Sequence, residues 1–171
     1  MTNEKLFALG KPCFYVVQTD ESAFENLYLQ LVQRNTGSVI RKVRGKKSST
    51  LQDFFNEIAA SLQFPYYFGE NWNAFEECIT DLDWIEGDAY LLMISNANSL
   101  LNNADSEDFR ILLQTLARAN EEWLTPNTYI PRDRQPTPFH VLFQCTTDDI
   151  SAFSQRLASF NTAFEQLVDI D

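Results

Sequence analysis

The sequence predicts an α/β domain in which a mostly parallel sheet of three to four strands is covered by helices. Segments rich in β-branched and aromatic residues alternate with segments of helical apolar spacing, which is typical of parallel strands joined by helical crossovers. The 171 residues are 44% hydrophobic and include 5 glycines and 6 prolines, a composition that excludes disordered and collagen-like proteins. A chain of this length can bury its own core without disulfide cross-links.

In the first part of the chain we expect a strand at 14–17, a helix at 22–34, a strand at 38–44 and a helix at about 50–63. The first strand is rich in aromatic and β-branched residues. The helix after it ends at the stop signal Asn35-Thr36-Gly37. Ser49 or Thr50 is the expected N-cap of the second helix, which Pro65 prevents from continuing.

After a loop at 64–71 we expect a helix at 72–82, a strand at 89–95, a long helix at 106–123, a strand at 139–145 and a last helix at about 148–167. The strand at 89–95 is apolar nearly throughout, as a central strand covered on both faces should be. Residues 125–138 hold four of the six prolines and are expected to form a surface connection.

The whole chain, 1–171, is expected to form one domain. Its core would span about 38–145, preceded by an N-terminal strand–helix extension at 1–37 and followed by a C-terminal helix at about 148–168.

Charge is unevenly distributed along the chain. With 13 basic and 24 acidic residues the formal charge is −11, which disfavours direct nucleic-acid binding. The 62 residues between Lys47 and Arg110 contain no lysine or arginine and carry 12 of the 24 acids. Either solubility or a cationic partner could account for this excess. The basic run 41–47 is expected to be a charged strand and turn that meets acids of the same domain.

The sequence predicts neither a catalytic centre nor a cofactor or metal site. It has one histidine, His140, and lacks a P-loop, a dinucleotide-binding GxGxxG and a nucleophile elbow. Adjacent acids such as Glu76 and Glu77 point about 100° apart on a helix. Nothing in the sequence marks an acid for a raised pKa. We therefore expect no enzymatic activity.

Three scattered cysteines without a CxxC pair suit a reducing compartment. The longest apolar runs are too short to cross a bilayer, and no secretory signal is expected at the N-terminus. These features predict a cytoplasmic protein.

The helix at 72–82 is amphipathic. Its expected buried stripe is Phe75, Cys78, Ile79 and Leu82, and its expected exposed polar face is Asn73, Glu76, Glu77 and Thr80. Such a helix would present carboxylates on a rigid support, which avoids the entropic cost of ordering a loop on binding.

Residues 67–80 read Tyr-Phe-Gly-Glu-Asn-Trp-Asn-Ala-Phe-Glu-Glu-Cys-Ile-Thr. This segment strongly resembles the barstar family, intracellular inhibitors of the ribonuclease barnase. The continuation at 81–84 is similar to longer bacterial members, and a weaker similarity extends over about 38–145. Gly69 in this motif is expected to supply a backbone conformation that other residues avoid.

The resemblance implies a barstar-like fold and a ribonuclease inhibitor or immunity-type antitoxin that occludes the cationic active site of a nuclease or toxin. The partner would be a basic ribonuclease or nuclease toxin, with no direct nucleic acid, membrane, cofactor or small-molecule substrate. The implied partner-binding residues are Tyr67, Phe68, Glu70, Asn71, Asn73, Glu76, Glu77, Thr80 and Asp81.

Two of these positions depart from the family pattern. Asn73 stands where the family has an aspartate, and Glu76 stands where it has a tryptophan. An alternative is therefore a non-inhibitory module that binds another basic protein through the same acidic surface.

Overall fold

The computed structural model describes residues 2–127 and 133–168. The strands are β1 Phe14–Gln18, β2 Val39–Arg44, β3 Tyr90–Ser95, β4 Phe139–Cys145 and β5 Phe164–Leu167. The helices are α1 Glu21–Arg34, α2 Leu51–Leu62, α3 Trp72–Asp81, α4 Ser106–Leu124 and α5 Ile150–Ser159. Part of the predicted surface connection at 125–138 lies outside the described residues.

All five strands are parallel and form one sheet in the order β2-β3-β4-β1-β5. The predicted α/β class is confirmed, whereas the predicted three to four strands are too few. Phe14 of β1 lies opposite Val141 of β4 on one side and Phe164 of β5 on the other. The N-terminal segment therefore supplies an interior strand of the sheet.

The fifth strand replaces the second half of the predicted C-terminal helix. Helix α5 ends at Ser159, and Asn161 adopts a left-handed backbone with φ of 53°, which turns the chain towards the sheet. The apolar residues Phe160, Phe164 and Leu167 continue the helical spacing of α5. Their spacing alone therefore could not distinguish a longer helix from a turn followed by a short strand.

Alternate residues of the strands enter two apolar layers, one on each face of the sheet. Phe14 and Val16 join the layer that α2, α3, α4 and α5 cover. Tyr15 and Val17 join the layer beneath α1 and the N-terminal 3-10 turn. Because successive side chains of β1 point to opposite faces of the sheet, β1 contributes residues to both layers, as expected for an interior strand.

Within the described residues, no helix has both the length and the apolarity needed to cross a membrane.

Leu167→Ala is expected to lower the free energy of unfolding by about 2–3 kcal/mol, because Leu167 is buried in the layer beneath α1. Gln166→Ala, at the exposed neighbouring position, should change it by no more than about 0.5 kcal/mol. Urea unfolding measures both variants. Equal effects would contradict the position of β5 in the sheet.

Candidate functional site

The segment that resembles the barstar motif begins in an aromatic cluster shared by α2, α3 and the loop between them. The Trp72 ring lies 5.2 Å from that of Phe55, measured between centroids, and packs edge-on. Phe75 makes a similar edge contact with Phe54 at 5.5 Å. The Trp72 indole N–H donates to Oδ1 of Asp108 at 3.0 Å, which ties α3 to α4. These contacts fix the start of α3 on two other helices.

Asn71 is the N-cap of α3. Its side-chain oxygen accepts from the Ala74 N–H at 2.9 Å, and its amide donates to the Gly69 carbonyl at 3.1 Å. The positive φ of this loop, 50°, belongs to Glu70, so the backbone role predicted for Gly69 is wrong. A Cβ on Gly69 would lie 3.0 Å from the Asn71 amide nitrogen. A side chain at position 69 would therefore push the capping amide of Asn71 by a few tenths of an ångström.

The loop before α3 contains a tight turn at 65–68, which we call the tyrosine turn. The Phe68 N–H donates to the Pro65 carbonyl at 2.9 Å, so Tyr66 and Tyr67 occupy the two central positions. The Phe68 ring packs edge-on against Phe64 with centroids 4.9 Å apart. The packing of Phe68 against Phe64 thus holds the end of the turn in place.

The two tyrosines project away from this contact. Tyr66 is 100% exposed and Tyr67 65% exposed, and their rings make an edge contact at 5.6 Å. The motif identified Tyr67 but not Tyr66. The signal that could have found Tyr66 is the Pro-Tyr-Tyr-Phe sequence after a buried phenylalanine, which predicts a turn with both tyrosines at its tip.

The polar face of α3 carries less uncompensated negative charge than predicted. Glu76 forms an ion pair with Arg118 of α4, so its charge is compensated within the chain. The Thr80 hydroxyl donates to the Glu76 carbonyl at 2.8 Å and is half-buried.

Asn73 and Glu77 are exposed, one turn apart on the same side of the helix. Glu70 is exposed and accepts from the Gln52 amide at 3.2 Å.

Asp81, at the end of α3, lines a small cleft of about 200 Å³ together with Asp83 and Arg134. Burial raises the pKa of the Asp81 carboxyl, the charge of Asp83 raises it further, and Arg134 opposes the rise. Arg134 stacks 4.0 Å from the Trp123 ring and donates to the Thr80 carbonyl at 2.6 Å. Sequence reasoning missed this raised pKa because the burial comes from residues distant in sequence.

Three of the five basic residues in the run 41–47 pair with acids of the same chain, as predicted. Arg44 donates to both carboxylate oxygens of Glu57, at 2.7 and 2.9 Å. In the same way, Lys42 pairs with Glu25 of α1, and Lys46 pairs with Glu21 at the start of that helix. The run is therefore a charged edge of the sheet with internal partners.

Open α/β sheets commonly bind ligands where neighbouring strands send their connections in opposite directions, here between the carboxyl ends of β1 and β4. The buried side chain of Gln144 fills this position. Its amide donates to the Thr19 carbonyl at 2.7 Å, and its oxygen accepts from the Asn96 N–H at 2.7 Å. At the start of α1, the Asp20 carboxylate already accepts from the Ala23 N–H. A carboxylate therefore occupies the place where other folds bind phosphate.

The Barstar (barnase inhibitor) family model matches residues 39–144, which is more than half of the chain. The chain belongs to the Barstar family. The match includes β2, β3 and β4 together with α2, α3 and α4, and it excludes β1 and β5. Among curated proteins, no sequence matches the chain significantly.

Solved structures with the same fold include ORC2 of Aeropyrum pernix in an ADP form, with a TM-score of 0.57 and 14% identity. Cdc6p of Pyrobaculum aerophilum has a TM-score of 0.55 and 10% identity, and Drosophila ORC bound to AT-rich DNA and Cdc6 has 0.50 and 17%. The alignments cover 93%, 90% and 97% of this Barstar-family chain but 42%, 38% and 49% of those proteins. At such identities the similarity concerns the fold.

These neighbours contradict the functions predicted from the motif. The prediction of a nuclease-inhibiting immunity or antitoxin protein is contradicted: the solved structures named above that share this fold are ORC and Cdc6 proteins. The predictions of a nuclease-toxin partner and of no nucleic acid are contradicted: a protein that shares the fold, Drosophila ORC, is bound to DNA and Cdc6. The prediction of a non-enzyme is contradicted by the same neighbours, one of them in an ADP form. The Glu76–Arg118 pair also removes part of the acidic surface on which the inhibitor and its alternative depended.

Asn71→Ala is expected to lower the free energy of unfolding by about 1 kcal/mol, because α3 loses its N-cap. Asn73→Ala is the matched control, since Asn73 is exposed within the same helix, and should change stability by at most about 0.5 kcal/mol. Urea unfolding distinguishes the two variants. A loss of similar size in both would argue against the cap.

Asp81→Asn is expected to raise the free energy of unfolding at pH 7. A carboxyl with a raised folded-state pKa binds its proton more tightly in the folded protein, so ionisation destabilises the fold as pH rises above the ordinary aspartate value of 3.8. The gain should therefore disappear at about pH 3. Urea unfolding at both pH values measures it, with exposed Glu122→Gln as the control. A gain that is the same at both pH values would contradict this cause.

Proposed function

We propose that this chain is a protein-binding domain whose contact surface consists of the tyrosine turn and the exposed side of α3. This docking face comprises Tyr66, Tyr67, Glu70, Asn73 and Glu77. The observation that supports it best is the pair of adjacent exposed tyrosines on a turn whose flanking rings, Phe64 and Phe68, are packed into the aromatic cluster.

Tyrosine suits such a contact because it buries a large ring, keeps one hydroxyl for a hydrogen bond and has few rotatable bonds to immobilise. The turn beneath Tyr66 and Tyr67 is already ordered by the Pro65–Phe68 hydrogen bond. Binding would therefore require little further ordering of the backbone. The partner would offer apolar pockets for the two rings and hydrogen-bond donors for the adjoining carboxylates of Glu70 and Glu77.

The remaining motif residues have supporting roles in this proposal. Phe68 and Asn71 hold the turn and the start of α3 in place. Glu76 pairs with Arg118, and the Thr80 hydroxyl bonds within α3. Asp81 faces the small cleft at the far end of the helix. The proposed binding energy therefore comes from the tyrosines rather than from net negative charge.

We also propose that the protein functions in the cytoplasm. Three buried cysteines, Cys13, Cys78 and Cys145, are free thiols, which a reducing compartment would maintain.

The test replaces Tyr66 with the photoreactive residue p-benzoylphenylalanine in the full chain, expressed in its native cells. Leu29, on the outer side of α1 and 49% exposed, is the matched control position. Irradiation should join position 66, and not position 29, to one discrete polypeptide. Tyr67→Ala in the same chain should reduce the cross-linked yield about tenfold or more, as expected for truncation of a central aromatic contact.

Raising the salt concentration should change that yield by no more than about twofold, since screening acts on charges and not on neutral tyrosines. Equal products from positions 66 and 29, or an unchanged yield with Tyr67→Ala, would contradict the proposed docking face.

A further inference from the structure

A second concave surface lies on the other side of α4, away from the tyrosine turn. It is a cleft of about 670 Å³ between the segment 11–14, α4 and the connection 160–164. This volume falls within the range of about 300–1,000 Å³ that is typical of small-molecule sites. Both terminal segments lie outside the 39–144 family match, so the cleft results from their packing against α4.

The floor of the cleft is apolar and has aromatic groups on one side. Phe14 and Phe164 are register partners in adjacent strands, and Phe160 precedes Phe164 in the connection from α5. Leu113 and Ala117 line the cleft from α4. A flat ring could pack on this apolar lining of phenylalanines and aliphatic side chains.

The lining of the cleft is less acidic than the chain as a whole. Lys11 and Arg110 line it with a single carboxylate, Glu121, whereas the chain carries a formal charge of −11. Lys11 pairs with Glu121 at 2.6 Å, and Arg110 pairs with Glu107. The Lys11–Glu121 pair is largely exposed and the Arg110–Glu107 pair is partly exposed. Exposed ion pairs contribute little stability, so a bound anion could replace the carboxylates at small cost.

We propose that this cleft binds a small aromatic molecule that carries one carboxylate or sulfonate group. The ring packs on the phenylalanines and the aliphatic side chains, and the anionic group lies at the rim beside Lys11 and Arg110. This site is independent of the docking face proposed above.

Cys13 also lines the cleft but takes no covalent part. Burial raises the pKa of its thiol to about 12, so the thiolate that would attack a ligand is scarce at neutral pH. Binding is therefore reversible.

The probe for this site is 1-anilinonaphthalene-8-sulfonate, added to the folded full-length protein and followed by its fluorescence. We expect one saturable site per chain. Ala117→Trp, which fills the cleft, should weaken binding about tenfold or more. Ala152→Trp, at an exposed position of α5, is the matched control and should bind as the natural chain does. Equal binding by the two variants would overturn the proposal.

A second measurement requires no substitution. In a ¹H–¹³C correlation spectrum of the natural chain, 1-naphthoate should shift the methyl resonances of Leu113, Ala117 and Ala163 and leave that of Ala152 unchanged. The uncharged analogue 1-naphthalenemethanol should bind about threefold or more weakly than 1-naphthoate at low salt, because it lacks the anion that Lys11 and Arg110 would meet. Uniform small shifts, or equal binding of the two compounds, would overturn the proposal.

Discussion

The functional surface of this protein depends on the aromatic cluster beneath the loop between α2 and α3. Phe54 and Phe55 of α2 contact Trp72 and Phe75 of α3, and the same cluster extends to Phe68 in the tyrosine turn. The turn and the first residues of α3 are therefore fixed by one set of buried rings. Without that set, the exposed tyrosines would be on a mobile loop, and ordering them would oppose any binding.

The cluster also explains why charge is a poor guide to this surface. The sequence places 12 acids in a stretch with no basic residue, which suggests an uncompensated negative face. In three dimensions α4 packs beside α3 and brings Arg118 to Glu76, while Arg134 reaches the end of α3 at Thr80. Charges that are far apart in sequence are neighbours in the fold. The net charge of a sequence segment therefore overstates the charge that is not compensated by ion pairs.

Much of the fold was predictable, because strong periodicity and capping signals act locally. Thr50, one of the two predicted caps, caps α2, and α3 begins at Trp72 as its apolar spacing predicted. Strand β5 was missed because Phe164 and Leu167 fit helical spacing as well as they fit a strand. In the site, the motif identified Tyr67 and the exposed positions of α3. It could not identify the Arg118 pair or the half-buried carboxyl of Asp81, since both depend on long-range packing.

The position of β1 between β4 and β5 has a further consequence for how the molecule can be divided. A fragment trimmed to the family-matched region would retain six mostly apolar residues of β4, Phe139–Gln144, with one side of their backbone unpaired. Such an uncovered strand is a template for self-association. In this chain β1 covers that strand and β5 in turn covers β1, so expression boundaries that omit the N-terminal segment would favour aggregates over a folded protein.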